Sequence, residues 1–203
     1  MADGLVLVVD DDASVRESLK SFIRSVGLRC EAFSAPDELL ASELPEASAC
    51  VVLDVEFPGR SGLDLPAQLQ QAGIEIPIVY ITGHGTIPMS VRAMKAGAIE
   101  FLTKPFSEQE LLDAVMQALE RDQTARATRS EREASLARFA TLTPRERDVF
   151  ARVVAGRMNK EIAAELGTVE QTIKQHRGRV MHKLGVNSVA ELVRFAERMT
   201  PSA

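Results

Sequence analysis

The first half of the chain alternates short apolar runs with stretches whose apolar residues recur every three or four positions. Leu5 to Val9 is apolar throughout, as is typical of a strand buried on both faces of a sheet. A helical pattern follows over 13–26, and Gly27 ends it. The same alternation continues with strands predicted at 29–33, 50–53, 77–81 and 98–102, and helices at 36–44, 62–71, 87–95 and from Ser107 onward. This order predicts a doubly wound α/β fold with a five-stranded parallel sheet.

Beyond Leu142 the strand pattern disappears and only helical spacing remains. Thr143-Pro144-Arg145-Glu146 is typical of a helix start, with Thr as the cap, Pro in the first turn and Glu closing a capping box. Further helices are predicted at 159–166, 169–184 and 188–199. Four helices with a tight turn at Gly167-Thr168 predict a small all-α helix-turn-helix domain.

The segment between these two patterns is rich in Ala and mixed charges and contains no Pro or Gly over 120–140. Such a composition predicts a solvated helical linker. We therefore predict three parts, namely a first domain over 1–120, a helical linker over 121–140 and a second domain over 141–203. A chain of 203 residues is long enough for two domains.

The charge is distributed unevenly between the two halves. Residues 1–120 carry 8 Lys and Arg against 19 Asp and Glu, whereas the remaining residues carry 16 against 10. An acidic half followed by a basic half indicates two separate tasks, and the basic half could face a polyanion. A solvated helical surface would carry similar charge, so charge alone leaves nucleic-acid binding open.

Cysteine usage and hydropathy indicate the cellular compartment in which the protein is expected. Cys30 and Cys50 both lie in strand-like apolar runs, so we expect two buried free thiols and a reducing cytoplasm. No run of about 18 apolar residues is present, which predicts no membrane span. The first residues have no basic leader and include three aspartates, so we expect no signal peptide.

Polar side chains follow the predicted strands of the first half. Asp10, Asp11 and Asp12 follow strand one, Asp54 ends strand three, Thr82 ends strand four, and Lys104 follows strand five. The carboxyl ends of parallel strands meet at one edge of a sheet, so these groups should converge. Converging carboxylates need a cation, and Mg²⁺ with oxygen ligands suits them. A carboxylate nucleophile, a metal, an ammonium group and a hydroxyl group indicate phosphoryl transfer to aspartate. Any single aspartate could simply cap a helix, but that does not explain the set.

The first 120 residues resemble the receiver domain of two-component systems, with a CheY-like fold. The similarity is strongest to the FixJ-type subgroup, through the stretches Ile81 to Gly85, Met94 to Ala98 and Phe101 to Phe106. The resemblance implies that Asp54 accepts a phosphoryl group from a sensor histidine kinase and that the Lys104-Pro105 peptide is cis. It implies Mg²⁺ as the cofactor, held by Asp11, Asp54 and the backbone carbonyl of Glu56, with Asp10 assisting through water.

The same resemblance implies a switch. Lys104 would contact the phosphoryl group, and Thr82 would close on it and let the ring of Phe101 turn inward. This motion would promote homodimerisation through the fourth helix and fifth strand, near Val91 and Lys95.

Residues 142–199 resemble the LuxR-type DNA-binding domain. The motifs that carry this resemblance are Leu142 to Glu146, Asn159 to Ala163, Thr172 to His176 and Lys183 to Val186. The resemblance implies binding to double-stranded promoter DNA, contact with RNA polymerase and control of transcription, without enzymatic activity beyond the protein's own phosphorylation and dephosphorylation. The base contacts are expected from Lys174, Gln175 and Gly178, and the phosphate contacts from Lys160, Thr172, Arg177 and Arg179.

Several positions keep two interpretations. Thr168 and Val169 look exchanged relative to the usual family order, so Thr168 could cap the third helix one residue early or the turn could differ. Gly178 either permits a close approach to DNA or contacts no base. His176 either touches DNA or packs inside the domain. The Glu56 side chain is either a solvated loop group or a modulator of phosphate lifetime, and His84 is expected to be a loop residue.

Two other classes of protein compete with a DNA-binding response regulator. An aspartate-based phosphohydrolase would need a second acid/base carboxylate after its nucleophile and a capping insertion, and Glu56 is only a partial candidate for that carboxylate. A signalling adaptor would use its C-terminal helices to bind protein instead of DNA.

Overall fold

We describe a computed structural model, which covers residues 4–43 and 47–200. The chain divides into two units, residues 1–126 and 127–203. Each unit has its own hydrophobic core, so the two are described in turn. Within the described residues, no helix is both long and apolar enough to span a bilayer.

The first unit is built on a parallel five-stranded sheet, which confirms the predicted fold class. The strands of this unit are β1 (Leu5–Val9), β2 (Arg29–Phe33), β3 (Ala49–Asp54), the short hairpin strands β4 (Glu56–Phe57) and β5 (Arg60–Ser61), β6 (Ile78–Thr82) and β7 (Glu100–Thr103). The sheet order is β2-β1-β3-β6-β7, so the direction of winding reverses between β1 and β3. Asp10 and Asp54 end or follow these two adjacent strands, at the edge where α/β folds bind ligands.

Helices cover both faces of this sheet. They are α1 (Ala13–Ser25), α2 (Pro36–Ala41), α3 (Leu65–Gln71), α4 (Ile87–Lys95) and the first part of α5 (Glu108–Ala140). Because consecutive strand residues point to opposite faces, Leu7 and Leu53 enter one core while Val6 and Val52 enter the other. Burial on both faces explains why these strands are apolar throughout.

Several element limits differ from the sequence prediction. Helix α2 ends at Ala41 because the backbone at Ser42 is extended, and position 44 lies outside the described residues. Residues 62–64 form a 3₁₀ turn before α3, and β7 begins at Glu100 rather than Ala98. The Ala98 N–H donates to the Ala93 carbonyl and so belongs to the turn after α4.

The second unit contains the four predicted helices. They are α6 (Pro144–Val154), α7 (Asn159–Glu165), α8 (Glu170–Leu184) and α9 (Val189–Met199). The predicted capping box of Thr143 and Glu146 is confirmed, and the Ser188 side chain caps α9. Ile173, Val180 and Leu184 of α8, spaced seven and four residues apart, form one stripe that is buried in the core of this unit.

Helix α5 is a single 33-residue helix that contains the whole segment 121–140. Near its middle, the buried Asp122 carboxylate accepts hydrogen bonds from the Ala49 N–H (2.8 Å) and from Arg126 (2.6 Å). Asp122 therefore fastens this part of the helix to the start of β3, four turns after the helix begins. Nothing in the sequence pattern pointed to this contact.

Candidate functional site

The carboxylates of Asp10 and Asp54 converge on one ammonium group, as the topology predicted. Lys104 Nζ lies 2.7 Å from Asp54 Oδ2 and 2.9 Å from Asp10 Oδ2. Asp10 is fully buried and Asp54 is 6% exposed. The second oxygen of each carboxylate accepts a backbone N–H, from Asp12 for Asp10 and from Glu56 for Asp54. The Lys104-Pro105 peptide is cis, as expected.

A third carboxylate completes an acidic cluster that suits a divalent cation. Asp10, Asp11 and Asp54 can each offer one oxygen, and these oxygens lie within 4.8 Å of one another. Asp11 is exposed, so one side of the cluster opens to solvent. Three carboxylates face one ammonium group here, which leaves excess negative charge that a hard cation would balance. The donor set therefore fits Mg²⁺.

Burial and charge shift the pKa values in this cluster in identifiable ways. Burial raises the pKa of Asp10, although hydrogen bonds from Lys104 and Asp12 work against this shift. For Lys104, burial lowers the pKa, but hydrogen bonds and attraction from Asp54 and Asp10 outweigh burial and leave the pKa raised. Lys104 is therefore a fixed positive charge beside Asp54.

Thr82 and Phe101, the residues expected to form a switch, lie on the paired strands β6 and β7. Thr82 is fully buried at the end of β6, and its hydroxyl oxygen accepts the His84 N–H at 3.2 Å. Phe101 on β7 is half-buried and packs near Tyr80, with ring centroids 6.3 Å apart. Gly85 lies close to both Thr82 and Phe101. A Cβ at Gly85 would collide with the methyl group of Thr103 and crowd the Phe101 ring. The absence of a side chain at Gly85 therefore keeps space beside this ring.

The side chains of Glu56 and His84 form a pair, and the sequence did not predict this contact. His84 Nδ1 lies 3.2 Å from a carboxylate oxygen of Glu56, and both side chains are substantially exposed. Modulation of the phosphate lifetime by the Glu56 side chain stays a prediction. Glu56 belongs to β4 and His84 to the loop after β6, so only the fold brings them together.

Gly62 supports the cluster from behind, and sequence reasoning did not single it out for this role. Its N–H donates to the Val55 carbonyl at 2.8 Å. A Cβ at Gly62 would overlap the carbonyl oxygen of Asp54. Only glycine lets the chain pass this closely behind Asp54.

The predicted dimer face is a solvent-facing apolar stripe on α4. Val91 is 45% exposed, and Ile87 and Met94 lie on the same side at spacings of four and three residues. Lys95 is exposed at the end of the helix.

The predicted DNA-contacting residues lie mainly on the exposed side of the second unit. Those exposed are Lys160, Lys174, Gln175, Gly178 and Arg179, while Thr172 and Arg177 are half-buried. Arg177 Nη1 donates to Asn159 Oδ1 at 3.2 Å, so it links α8 to α7. The Nδ1 atom of His176 is buried and has no hydrogen-bond partner within the described residues, which favours packing over DNA contact.

The exchanged pair Thr168-Val169 lies at the start of α8. Val169, not Thr168, is the N-cap, and it supplies no side-chain hydrogen bond. Of the two interpretations left open for this pair, early capping by Thr168 is therefore wrong. The Thr168 N–H donates to the Ala163 carbonyl and thus belongs to the turn after α7.

An internal ion pair fixes the far end of α8. Glu146 is almost fully buried and accepts a hydrogen bond from Lys183 Nζ at 2.7 Å. Lys183 also donates to the Thr141 carbonyl, and Arg138 of α5 donates to the Leu184 carbonyl at 3.5 Å. The capping-box pattern placed Glu146 in the first turn of a helix. No local signal pointed to its partner Lys183, which is 37 residues away.

Comparison with known families matches both units. The response regulator receiver domain matches residues 6–116, and the luxR family of bacterial regulatory proteins matches residues 140–196. A parallel sheet with an acidic cluster, followed by a helix-turn-helix unit, defines the class of DNA-binding response regulators. The alternatives of a phosphohydrolase and an adaptor are therefore set aside.

Relatives match along nearly the full length. Nodulation protein W of Bradyrhizobium diazoefficiens is 50% identical over 98% of this chain and 88% of its own length. The transcriptional regulatory protein FixJ of the same species is 39% identical over 96% of this chain and 95% of its own. The structure of the response regulator StyR superposes with a TM-score of 0.86 at 49% identity, covering 97% of this chain and 100% of that one. The chain belongs to the FixJ/NarL family of two-component transcriptional regulators.

Proposed function

We propose that this response regulator accepts a phosphoryl group on Asp54 from a sensor histidine kinase. The observation that carries the proposal is the short contact of the nearly buried Asp54 carboxylate with Lys104, beside two further carboxylates. A carboxylate beside a fixed positive charge can approach an anionic phosphoryl donor, since the ammonium group offsets the charge. In the transfer, an Asp54 oxygen would form a bond to phosphorus while the phosphorus–nitrogen bond to the kinase histidine breaks and returns its electron pair to the imidazole.

Asp11, Asp54 and the backbone carbonyl of Glu56 would hold Mg²⁺, with Asp10 assisting through water. Bound Mg²⁺ would neutralise charge on the phosphoryl oxygens. Lys104 would then donate to a phosphoryl oxygen instead of to Asp54. Asp10, held by the Asp12 N–H, would stay in place as Lys104 shifts.

The output step that we propose is a rearrangement of Thr82 and Phe101. Once the phosphoryl group is in place, the Thr82 hydroxyl would donate to one of its oxygens and the Phe101 ring would turn inward. The space beside Phe101 at Gly85 and the exposed stripe around Val91 and Lys95 support this route. Homodimerisation through that stripe would place two copies of α8 on neighbouring half-sites of promoter DNA.

We assign Lys174, Gln175 and Gly178 to base edges, and Lys160, Thr172, Arg177 and Arg179 to phosphates. The exposure of five of these seven residues supports the assignment. Contact with RNA polymerase and a reducing cytoplasmic location belong to the same proposal. The two buried free thiols, Cys30 and Cys50, support the location.

Incorporation of a phosphoryl group tests the assignment of Asp54. Purified protein incubated with Mg²⁺ and acetyl phosphate should gain one phosphoryl group by intact-protein mass spectrometry. Asp54→Asn should gain none, because an amide lacks the nucleophilic oxygen. Asp37→Asn, which alters an exposed carboxylate paired with Arg60, should behave as the wild type. Equal incorporation by Asp54→Asn and the wild type would refute the assignment.

A further inference from the structure

Helix α8 presents an outward face made of Gln171, Lys174, Gln175, Gly178 and His182, all of them exposed. These positions are three or four residues apart and so lie on one side of the helix. Ile173, Val180 and Leu184 bury the opposite side. Gly178 stands near the centre of this outward face, within a 15-residue helix.

The fold itself gives Gly178 no function. Its φ is not positive, in contrast to Gly185, which ends the same helix with φ 68°. A Cβ built at Gly178 would have no atom of the described residues within 4 Å, whereas one at Gly62 or Gly85 would collide with its neighbours. Glycine inside a helix is nevertheless destabilising relative to alanine. Neither backbone conformation nor packing within the unit explains this residue.

A shallow notch at Gly178 suits a polyanionic partner. The notch has a volume of about 390 Å³ and is lined by Gln175, Gly178, Arg179, His182 and Lys183. Lys183 is engaged by Glu146, but across the described ranges no acidic side chain pairs with Lys174 or Arg179. The surroundings of Gly178 therefore offer hydrogen-bond donors and unpaired positive charge, which match the edges and backbone of double-stranded DNA.

We propose that Gly178 is a specificity-determining position that acts through close approach and not through a side-chain contact. With no Cβ there, the backbone of α8 lies nearer the base edges of the major groove. Lys174 and Gln175, one turn earlier on the same face, then reach the bases directly. This inference rests on the proposed DNA-binding function. It adds a reason why α8 can lie deep in the major groove.

The test compares specific with non-specific binding. Full-length wild-type protein, phosphorylated with acetyl phosphate, is used to select duplexes from a randomised pool. Affinity is then measured for the selected duplex and for a scrambled duplex of equal length. Gly178→Ala should bind the selected duplex at least tenfold more weakly, and Gly178→Gln more weakly still. Binding to the scrambled duplex should change less than twofold, since it depends on phosphate charge.

Thermal unfolding separates this effect from misfolding. Gly178→Ala should unfold at the same temperature as the wild type or a few degrees higher, because alanine favours the helix. Weaker specific binding by a variant at least as stable as the wild type is the expected result. If Gly178→Ala bound the selected duplex as tightly as the wild type, the inference would be overturned while the DNA-binding function stood. If the wild type selected no sequence, the proposed function itself would fail.

Discussion

The acidic cluster and the outward face of α8 differ in how far their geometry is fixed without a partner. In the cluster, Lys104 contacts Asp54 and Asp10 at 2.7 and 2.9 Å, and each carboxylate has a backbone donor. On α8, Lys174, Gln175 and Gly178 are exposed, and their arrangement depends only on helical spacing. Chemistry on a small group requires a preorganised pocket. The side chains that recognise DNA, in contrast, can take up their final positions when the DNA binds.

The largest expected effect comes from removing the shared cation of the cluster. Lys104→Ala should slow phosphorylation by acetyl phosphate roughly 10²-fold, the size of effect seen when one charge-stabilising donor is lost. Stopped-flow or mass-spectrometric time courses would measure the rate. Lys20→Ala removes a half-buried lysine paired with the exposed Glu17 and is the control. An unchanged rate in Lys104→Ala would show that the fixed charge is not needed.

A second variant tests the close packing of Gly62 against the backbone of Asp54. Gly62→Ala places a Cβ against the Asp54 carbonyl and should destabilise the first unit by about 3 kcal/mol, the upper range for overpacking, because backbone cannot yield easily. Urea unfolding would measure the free energy. The matched substitution Gly178→Ala meets open space and should not destabilise the protein. Equal effects of the two variants would remove the contrast between the two regions.

The smallest expected effect concerns the ion pair that fixes the end of α8. The hydrogen bond from Lys183 comes first among the causes that lower the pKa of Glu146 below its ordinary value of 4.5, and it outweighs burial. A carboxyl group with a lowered pKa stabilises the fold above its unfolded pKa and loses this effect as pH falls through the folded pKa. The stabilisation should therefore be complete at pH 6 and decline below about pH 4.5.

Glu146→Gln should cost about 1.5 kcal/mol at pH 7 and flatten the acid-side decline in stability of the second unit. Urea unfolding at a series of pH values would show this. Glu165→Gln, which alters an exposed pair with Arg152, is the control and should change stability by less than about 1 kcal/mol. A Glu146→Gln profile parallel to the wild-type profile would mean that the pair contributes nothing.

The sequence predicted the elements well where one local rule governs them. Continuous apolar runs marked strands buried on both faces, and Thr143 with Glu146 marked a helix start. The cluster could be predicted because strand ends in a parallel sheet share one edge. Contacts between distant segments, such as Glu56 with His84, could not be predicted because no local pattern encodes them. Two possibilities stayed open at the start of α8, and early capping by Thr168 is the wrong one, because the Thr168 N–H belongs to the turn that ends α7.

The central claim is that phosphorylation at Asp54 controls DNA binding. The most direct measurement is the affinity of the full-length protein for a selected promoter duplex, with and without acetyl phosphate and Mg²⁺, in the wild type and in Asp54→Asn. We expect at least tenfold tighter binding by the wild type after phosphorylation and no change in Asp54→Asn. The same gain in Asp54→Asn as in the wild type, or no gain in the wild type, would contradict the account.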